Sequence, residues 1–446
     1  MHFGLTGIAP LILYIAAILV FVVSVVRRPE VGLYFIVPLF PLQTLRGRIA
    51  EFPLGNKLID VILLGVLLGA VCHRGYKLFP RNPLLKWITA FAVFSYISLW
   101  QGAFFLGGSL PLSIEDPRFS DWKNYMVMPL TFLLVVSVIR KLKDIKILVS
   151  LMCCSALLCD KSVYSAVAGR NLSQFSYDIR DGGVFGYAGA NGAGAFAAWF
   201  IILLLALYSY ETTRMRKWLL LGLAAFSSYC LMLTFSRGAY IGFLLGLAIF
   251  SLVREQKLLL LLVPFLFTWQ LIVPPSVTER VTMTQSNGEL DESSAERVAL
   301  WEDAKTLAEE HPLLGTGFDT YRFMNRLNLY SGQTLLRDTH NYYLKVLVET
   351  GVAGLALFFL LLGKICQLGL RLWRKAEDRF LKAIGLGLAC AIVPTLIVNI
   401  FGDRWQYIQI VGFLWALAGC VARGLILVEE AQLEASTPQI NSCVLA

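Results

Sequence analysis

The sequence predicts an all-α, polytopic membrane helix bundle, and three observations carry that prediction. Hydrophobic residues make up 57% of the 446 positions and charged residues only 15%, against about 25% charged in an ordinary soluble domain. Mean hydropathy is +0.66. Apolar runs close to the roughly 20 residues that cross the hydrocarbon as a helix recur along the whole chain. A water-soluble globule has no means of covering so much apolar surface, and a disordered chain is excluded by the same composition.

Thirteen runs qualify: 5–26, 31–45, 58–72, 87–106, 124–139, 145–164, 191–210, 218–235, 238–253, 258–274, 342–363, 380–400 and 406–424. Several are short. The run 31–45 contains Pro38 and Pro41 and reads as bent or re-entrant, so about twelve to thirteen transmembrane helices are expected. No Lys or Arg precedes the first run, whereas Arg27 and Arg28 follow it. It therefore reads as a span that starts outside rather than as a cleaved leader. Of the 39 basic residues, 22 fall in one alternating set of connections: Arg27–Arg28, Arg74 to Lys86, Arg140 to Lys146, Arg214 to Lys217, Arg254 and Lys257, Lys364 to Lys382, and Arg423. Basic residues collect in cytoplasmic loops. Connections 46–57, 107–122, 165–190, 275–341 and 401–405 are thus expected on the outer face.

The chain divides into helices over 1–274, a large outer loop over 275–341, further helices over 342–424 and a cytoplasmic tail over 425–446. Within the loop, Ser293-Ser294-Ala295-Glu296 has the capping-box pattern. Apolar residues at 300, 301, 304, 307 and 308 then have amphipathic helix spacing, and His311-Pro312 with Gly315-Thr316-Gly317 ends the helix. The reading is a helical cap over the outer mouth of the bundle. No repeat of 20–50 residues is present, and no pair of similar halves of the kind common in transporters.

The net charge of +9 is read as topological, with membrane lipids and not nucleic acid as the partner. The nine cysteines contain no CxxC; eight lie in or beside apolar runs and Cys443 lies in the tail, which suits buried hydrophobes. No His, Cys, Asp and Glu set has metal-ligand spacing, and no GxSxG or Walker sequence occurs. No metal and no cofactor are expected.

Three features suit chemistry, all on the outer side. In Leu233-Thr-Phe-Ser236-Arg237-Gly238 an arginine stands between two apolar spans with almost no loop. It either aims into a cavity to grip an anion or snorkels to the headgroups. In Arg180-Asp-Gly-Gly-Val-Phe-Gly-Tyr-Ala-Gly-Ala-Asn191-Gly-Ala-Gly, glycines precede a helix entry near Asn191. An anion site and close packing of small residues are both open there. In Asp338-Thr-His340-Asn341-Tyr-Tyr-Leu344-Lys-Val-Leu-Val-Glu349-Thr-Gly351-Val-Ala-Gly354, an imidazole closes the large loop. It suits proton transfer near neutrality, or a helix cap. Glu349, inside an apolar span, needs a partner.

These residues resemble the O-antigen ligase and O-antigen polymerase superfamily of bacterial envelope glycosyltransferases. The resemblance runs over roughly 175–360. Ser236-Arg237-Gly238, Arg180…Gly183…Asn191, and Arg297…Trp301…Pro312-Leu-Leu-Gly315-Thr-Gly317 carry it. Its most specific part is His340-Asn341-x-x-Leu344-x4-Glu349-x-Gly351-x-x-Gly354 after a single large outer loop. The resemblance implies a C-type glycosyltransferase-like bundle in the bacterial inner membrane with its active site facing the periplasm. It implies an undecaprenyl-pyrophosphate-linked glycan as donor, inversion, and no metal. The acceptor hydroxyl would belong to a glycolipid, a growing glycan or a protein. Arg180 and Arg237 match arginines that bind the donor pyrophosphate, and His340 a histidine near the acceptor hydroxyl. Arg297, Arg322, Asn341, Asp338, Glu349 and Asn191 are further substrate-binding expectations, with Asp338 placed to orient the His340 ring. Ligase is ranked ahead of polymerase and protein O-glycosylation ligase; a lipid-linked-sugar transporter is the rival of another class.

Overall fold

The computed structural model describes residues 5–113, 115–283, 285–286, 289–290, 292–326 and 338–436, with side chains left out at 5–7, 285–286, 289–290, 292–296, 324–326 and 436. The chain folds as α1 (Leu5–Val26), α2 (Glu30–Leu39), α3 (Gln43–Gly47), α4 (Leu58–Cys72), α5 (Leu85–Phe105), α6 (Pro117–Val138), α7 (Leu142–Val167), α8 (Gly189–Tyr210), α9 (Arg214–Leu233), α10 (Arg237–Val253), α11 (Leu259–Ile272) and α12 (Pro275–Thr282). A two-residue antiparallel ladder, β1 (Gln285–Ser286) with β2 (Glu289–Leu290), precedes α13 (Glu292–Glu310), α14 (Tyr321–Arg326), α15 (Tyr342–Lys375), α16 (Arg379–Ile400) and α17 (Ile408–Ser436). This is the all-α membrane bundle that composition predicts.

Among the described residues, seven helices are long and apolar enough to cross a membrane on their own: α1, α4, α5, α8, α15, α16 and α17; α11 and α12, bent by 110° where they meet, make an eighth if taken as one. The other predicted runs are also helices of the bundle. α6, α7 and α9 carry charged residues, such as Arg118 and Lys123, Asp160 and Lys161, and Arg214 to Lys217, while α10 has 17 residues. The run 31–45 is bent, as its prolines require. α2 stops after ten residues, and the Arg46 guanidinium then donates to the freed carbonyls of Leu39 (2.9 Å) and Phe40 (3.0 Å).

α8 lies in the middle, buried along almost its whole length and packed on α9, α10 and α16. Lipid tails are as apolar as leucine, so helices in a bilayer hold together by close approach at small residues. On α10, Gly238, Gly242 and Gly246 form such a stripe: a Cβ there would lie 2.7 Å from Phe401, 3.2 Å from Val398 and the Pro394 carbonyl, and 2.8 Å from the Pro394 ring.

Polar side-chain contacts join connections, or the helix ends beside them, that belong to the same predicted set. In one set Tyr76 bonds Glu30, Lys146 pairs with Asp378, and Lys375 with Glu429. In the other, Lys123 pairs with Asp60, Arg322 with Asp121, Arg170 with Asp181, and the Phe175 peptide N–H donates to Glu279. The predicted amphipathic helix is α13, with Leu300, Ala304, Leu307 and Ala308 buried. The capping-box side chains of 293–296 lie outside the described residues.

The segment after α13 is clasped to α15, backbone on backbone. α15 breaks at Gly351 (φ 64°, ψ −170°), which frees carbonyls before the break and N–H groups after it. Thr316 and Gly317 donate to the carbonyls of Val348 and Glu349 (2.8 Å each), and Val352 and Ala353 donate back to Pro312 (2.9 Å) and Leu313 (3.2 Å). α5 completes the clasp: Gln101 donates to the Gly315 carbonyl (2.6 Å) and Phe318 to that of Ser98 (3.0 Å).

Candidate active site

A cavity of about 1160 Å³ opens at the end of the bundle that carries α12 and α13. That exceeds the range of about 300–1,000 Å³ typical of small-molecule pockets. Its long walls are apolar side chains of α9, α10 and α11, among them Leu221, Tyr229, Phe243, Leu262 and Trp269. Its head is polar and basic, lined by Arg237, Arg280, Arg297 and Arg404 with Asn191 and Trp301.

Each arginine comes from a different element. The connection between α9 and α10 is three residues, with Phe235 forced to φ 51°, so Arg237 becomes the first residue of α10 at the cavity head. Its Nη1 donates to the Met283 carbonyl at 2.8 Å, so it faces the cavity head and the cap instead of headgroups. Arg280, on the short α12, is buried, with its guanidinium carbon 4.8 Å from the Phe175 ring centre and 5.2 Å from that of Tyr177, within reach of cation–π attraction. Arg404 belongs to the turn between α16 and α17; Asn399 Oδ1 shapes that turn by accepting from the peptide N–H groups of Arg404 (3.1 Å) and Trp405 (2.8 Å). Burial lowers the Arg404 pKa from its ordinary value.

Arg180 joins this head through its partners. Its Nη2 donates to Asn191 Oδ1 at 2.6 Å, and its Nε reaches the Thr234 carbonyl at 3.4 Å. Burial, then the like charge of Arg280, lowers its pKa to about 10, still protonated at neutral pH. The glycines before Asn191 serve the chain's path: Gly186 and Gly189 have φ of 57° and 61°.

His340 sits on a strap of four residues, 338–341, beside the cavity head. It holds φ 52°, a left-handed conformation that a residue with a Cβ adopts only when its surroundings enforce it. They do so here. The His340 peptide N–H donates to Asp403 Oδ2 (3.0 Å) and the Thr339 hydroxyl to Asp403 Oδ1 (3.2 Å). Trp301 Nε1, from the cavity wall, donates to the Thr339 carbonyl (3.0 Å). The helix cap is supplied by Asn341, whose Oδ1 accepts from Tyr343 (3.1 Å) and Leu344 (3.3 Å). His340 is therefore not needed as the cap.

The structure thus gathers Arg180, Asn191, Arg237 and Arg297 around one cavity head, with the His340 strap tied to its walls through Trp301 and through Asp403, the neighbour of Arg404. It separates the remaining sequence-predicted residues. Asn341 spends its side-chain oxygen on the cap. Asp338, expected to orient the imidazole, is instead held by Lys345 (2.6 Å) and Gln406 (3.2 Å). Arg322 pairs with Asp121 and with Asp319 (2.8 Å). Glu349 finds the partner it needs in Lys345 (3.8 Å). Among the described residues no three of His, Cys, Asp and Glu could hold a metal ion.

Sequence reasoning missed Arg280, Asp403 and Arg404. Arg280 lies in Pro274-Pro275-Ser-Val-Thr-Glu-Arg280, where two prolines announce a new element after an apolar run. Asp403 and Arg404 lie in a connection of seven residues between two spans. An ionisable pair so close to the bilayer was the available signal.

Burial and the like charge of Asp338 push the Asp403 carboxyl up to about 7. Its ordinary value is about 3.9. A raised carboxyl contributes fully to stability below the ordinary value and loses that contribution as pH rises through the folded one. The melting temperature of solubilised protein is expected to fall between about pH 4 and 7, and the fall to be smaller in Asp403→Asn. Parallel curves for the two proteins would remove Asp403 from this account.

The cavity is thus an apolar groove reaching into the bundle and ending in a cluster of guanidinium groups, a shape and charge that an amphiphile with an anionic head would fit. Residues 222–359, from α9 to the broken part of α15, match the family model described as O-antigen ligase. A protein of Rickettsia conorii described as a candidate polysaccharide ligase is 28% identical over 206 residues, which cover 42% of this chain and 47% of that protein. The chain spans about half the length of that curated relative. Through this segment it is similar to the O-antigen ligase family. The match contains Arg237, Arg280, Arg297 and His340; Arg180, Asn191, Asp403 and Arg404 lie outside it.

Proposed function

We propose that this protein transfers a glycan from an undecaprenyl-pyrophosphate carrier to an acceptor hydroxyl at the periplasmic face, with inversion and without a metal. The observation that carries this reading is the cavity: apolar along α9–α11 like a polyprenyl tail, and rimmed with arginines where a pyrophosphate would lie. The positive-inside bias, 22 of 39 basic residues in the other set of connections, supports an outward-facing head.

In this reading the acceptor oxygen attacks the anomeric carbon from the side opposite the phosphate, and the bond from that carbon to the phosphate oxygen breaks. The electron pair leaves with the lipid pyrophosphate. Arg180 and Arg237 hold the charge that develops there, since planar guanidinium groups pair well with phosphate oxygens. Arg280, Arg297 and Arg404 extend the same field. His340 meets the acceptor hydroxyl, either as the base that takes its proton or as the hydrogen-bonding group that aims it. No nucleotide is required, because the glycosyl phosphate bond carries the energy. Ligase, polymerase and protein O-glycosylation ligase differ only in the acceptor, and ligase is the reading preferred here.

The test is transfer in vitro from a defined polyprenyl-pyrophosphate glycan to candidate acceptors. Wild type should form the glycosidic bond, His340→Ala should not, and EDTA should leave the wild-type rate unchanged. Strong inhibition by EDTA would overturn the metal-free step. Movement of the lipid-linked sugar between leaflets with no bond formed would replace transfer by transport. In a deletion strain, unattached polymer marks a ligase, and single attached units mark a polymerase.

A further inference from the structure

Behind the His340 strap lies a charged cluster that the transfer chemistry does not use. Lys345, in the second turn of α15, has a side chain only 5% exposed. Its Nζ lies 2.6 Å from Asp338 Oδ1, 3.7 Å from Asp319 Oδ1 and 3.8 Å from Glu349 Oε1. These carboxylates come from three places: the strap itself, the turn that follows the clasp, and α15. Arg322 pairs with Asp319 by charge and with Asp121, in the second turn of α6. An ammonium buried among three acidic side chains is not a surface pair. Without it, like charges would be packed together out of water.

From this geometry we infer that Lys345 is a positioning residue for the transfer reaction, holding the 338–341 strap so that His340 meets the acceptor hydroxyl. The inference rests on the role proposed for His340. Bonds from several elements fix the strap. Asp403 holds Thr339 and His340, Trp301 holds Thr339, and Asn341 begins α15. Lys345 joins Asp338, at the strap's other end, to both the helix and the clasp turn. Asp338 receives one further bond, from Gln406 of the α16–α17 turn. His340 keeps a left-handed backbone that relaxes if one end of the strap is released. The donor's arginines lie on α10, α12, α13 and the two turns at 180 and 404, none of which Lys345 touches in these bonds. Losing Lys345 therefore disturbs alignment at the acceptor and leaves donor binding alone.

The experiment compares Lys345→Met, Asp338→Asn, the double variant and His340→Ala in the same in vitro assay with full-length protein in membranes. Lys345→Met should lower kcat about 100-fold, the scale of a misplacement of about 1 Å, with donor KM unchanged. Asp338→Asn keeps Lys345 balanced by Asp319 and Glu349, so it should insert normally and lower kcat less. The double variant removes one buried negative charge along with the ammonium and should recover part of the kcat lost in Lys345→Met, which loss of a purely structural prop would not give. Wild-type kcat in both single variants, or a raised donor KM with kcat unchanged, overturns the positioning role. If Lys345→Met fails to insert, Asp338→Asn decides by the same split. A fully active His340→Ala is the separate result that sinks the transfer reading itself.

Discussion

Arg237→Ala is expected to lower glycan transfer by about 10²–10³-fold or more while the protein still inserts and folds. The magnitude follows from removing one preorganised donor at a site of developing charge, typically about 2.7–4 kcal/mol. Arg237 is placed for this by a three-residue turn and a bond to the Met283 carbonyl, at the cavity's polar head and not along its apolar walls. The helix it begins is packed on α16 through Gly238, Gly242 and Gly246, contacts that the substitution does not touch. Arg237→Lys should also be poor, because one ammonium cannot present a planar fork to two phosphate oxygens. The loss should fall on kcat more than on donor KM if the guanidinium acts chiefly on the leaving group. Transfer close to wild type in Arg237→Ala, with expression matched, would remove the donor site from this cavity.

The features that carried the sequence reading are local ones. An arginine between two spans without a loop, and an imidazole just before an apolar run, are improbable on hydropathy alone; the first lines the cavity head, and the second lies on a strap bonded to the cavity wall through Trp301. Amphipathic spacing at 300, 304, 307 and 308 gave α13 in place. What the sequence did not disclose is long-range. Asp403 meets His340 across 63 positions, and Lys345 meets Asp319 through a turn whose path depends on the clasp. Arg280 reaches the cavity because the chain bends by 110° between α11 and α12, which two prolines permit but do not aim. Nearness in sequence points to Asp338 as the partner of His340. The carboxylate that bonds at His340 is instead Asp403, because the left-handed backbone turns the His340 peptide N–H toward the α16–α17 turn.

Gly351→Ala should open the clasp and abolish transfer with the spans still in the membrane. Gly351 has φ 64° and ψ −170°, a region almost restricted to glycine, where a side chain costs about 1–3 kcal/mol. A Cβ there would lie 2.2 Å from the Leu313 carbonyl oxygen and 2.5 Å from the Leu314 nitrogen. Both are backbone atoms, and the Leu313 carbonyl is held by the Ala353 N–H, so neither can move away as a side chain would. Relief requires giving up the bonds to Pro312 and Leu313, and those to Val348 and Glu349 go with them because the same turn makes all four. At about 1 kcal/mol net for each bond, opening and strain together reach several kcal/mol, a large share of the about 5–15 kcal/mol that stabilises an ordinary domain. The damage is local: the turn that carries Asp319 comes off α15, and with it one of the carboxylates that surround Lys345. Limited proteolysis should then cut between α13 and α14 in Gly351→Ala and spare the wild type. Gly363→Ala is the control on the same helix, since a Cβ there meets nothing within 4 Å, and it should be indistinguishable from wild type in both assays. Equal resistance to cleavage in Gly351→Ala would show that the break in α15 is not what holds the cap to the bundle.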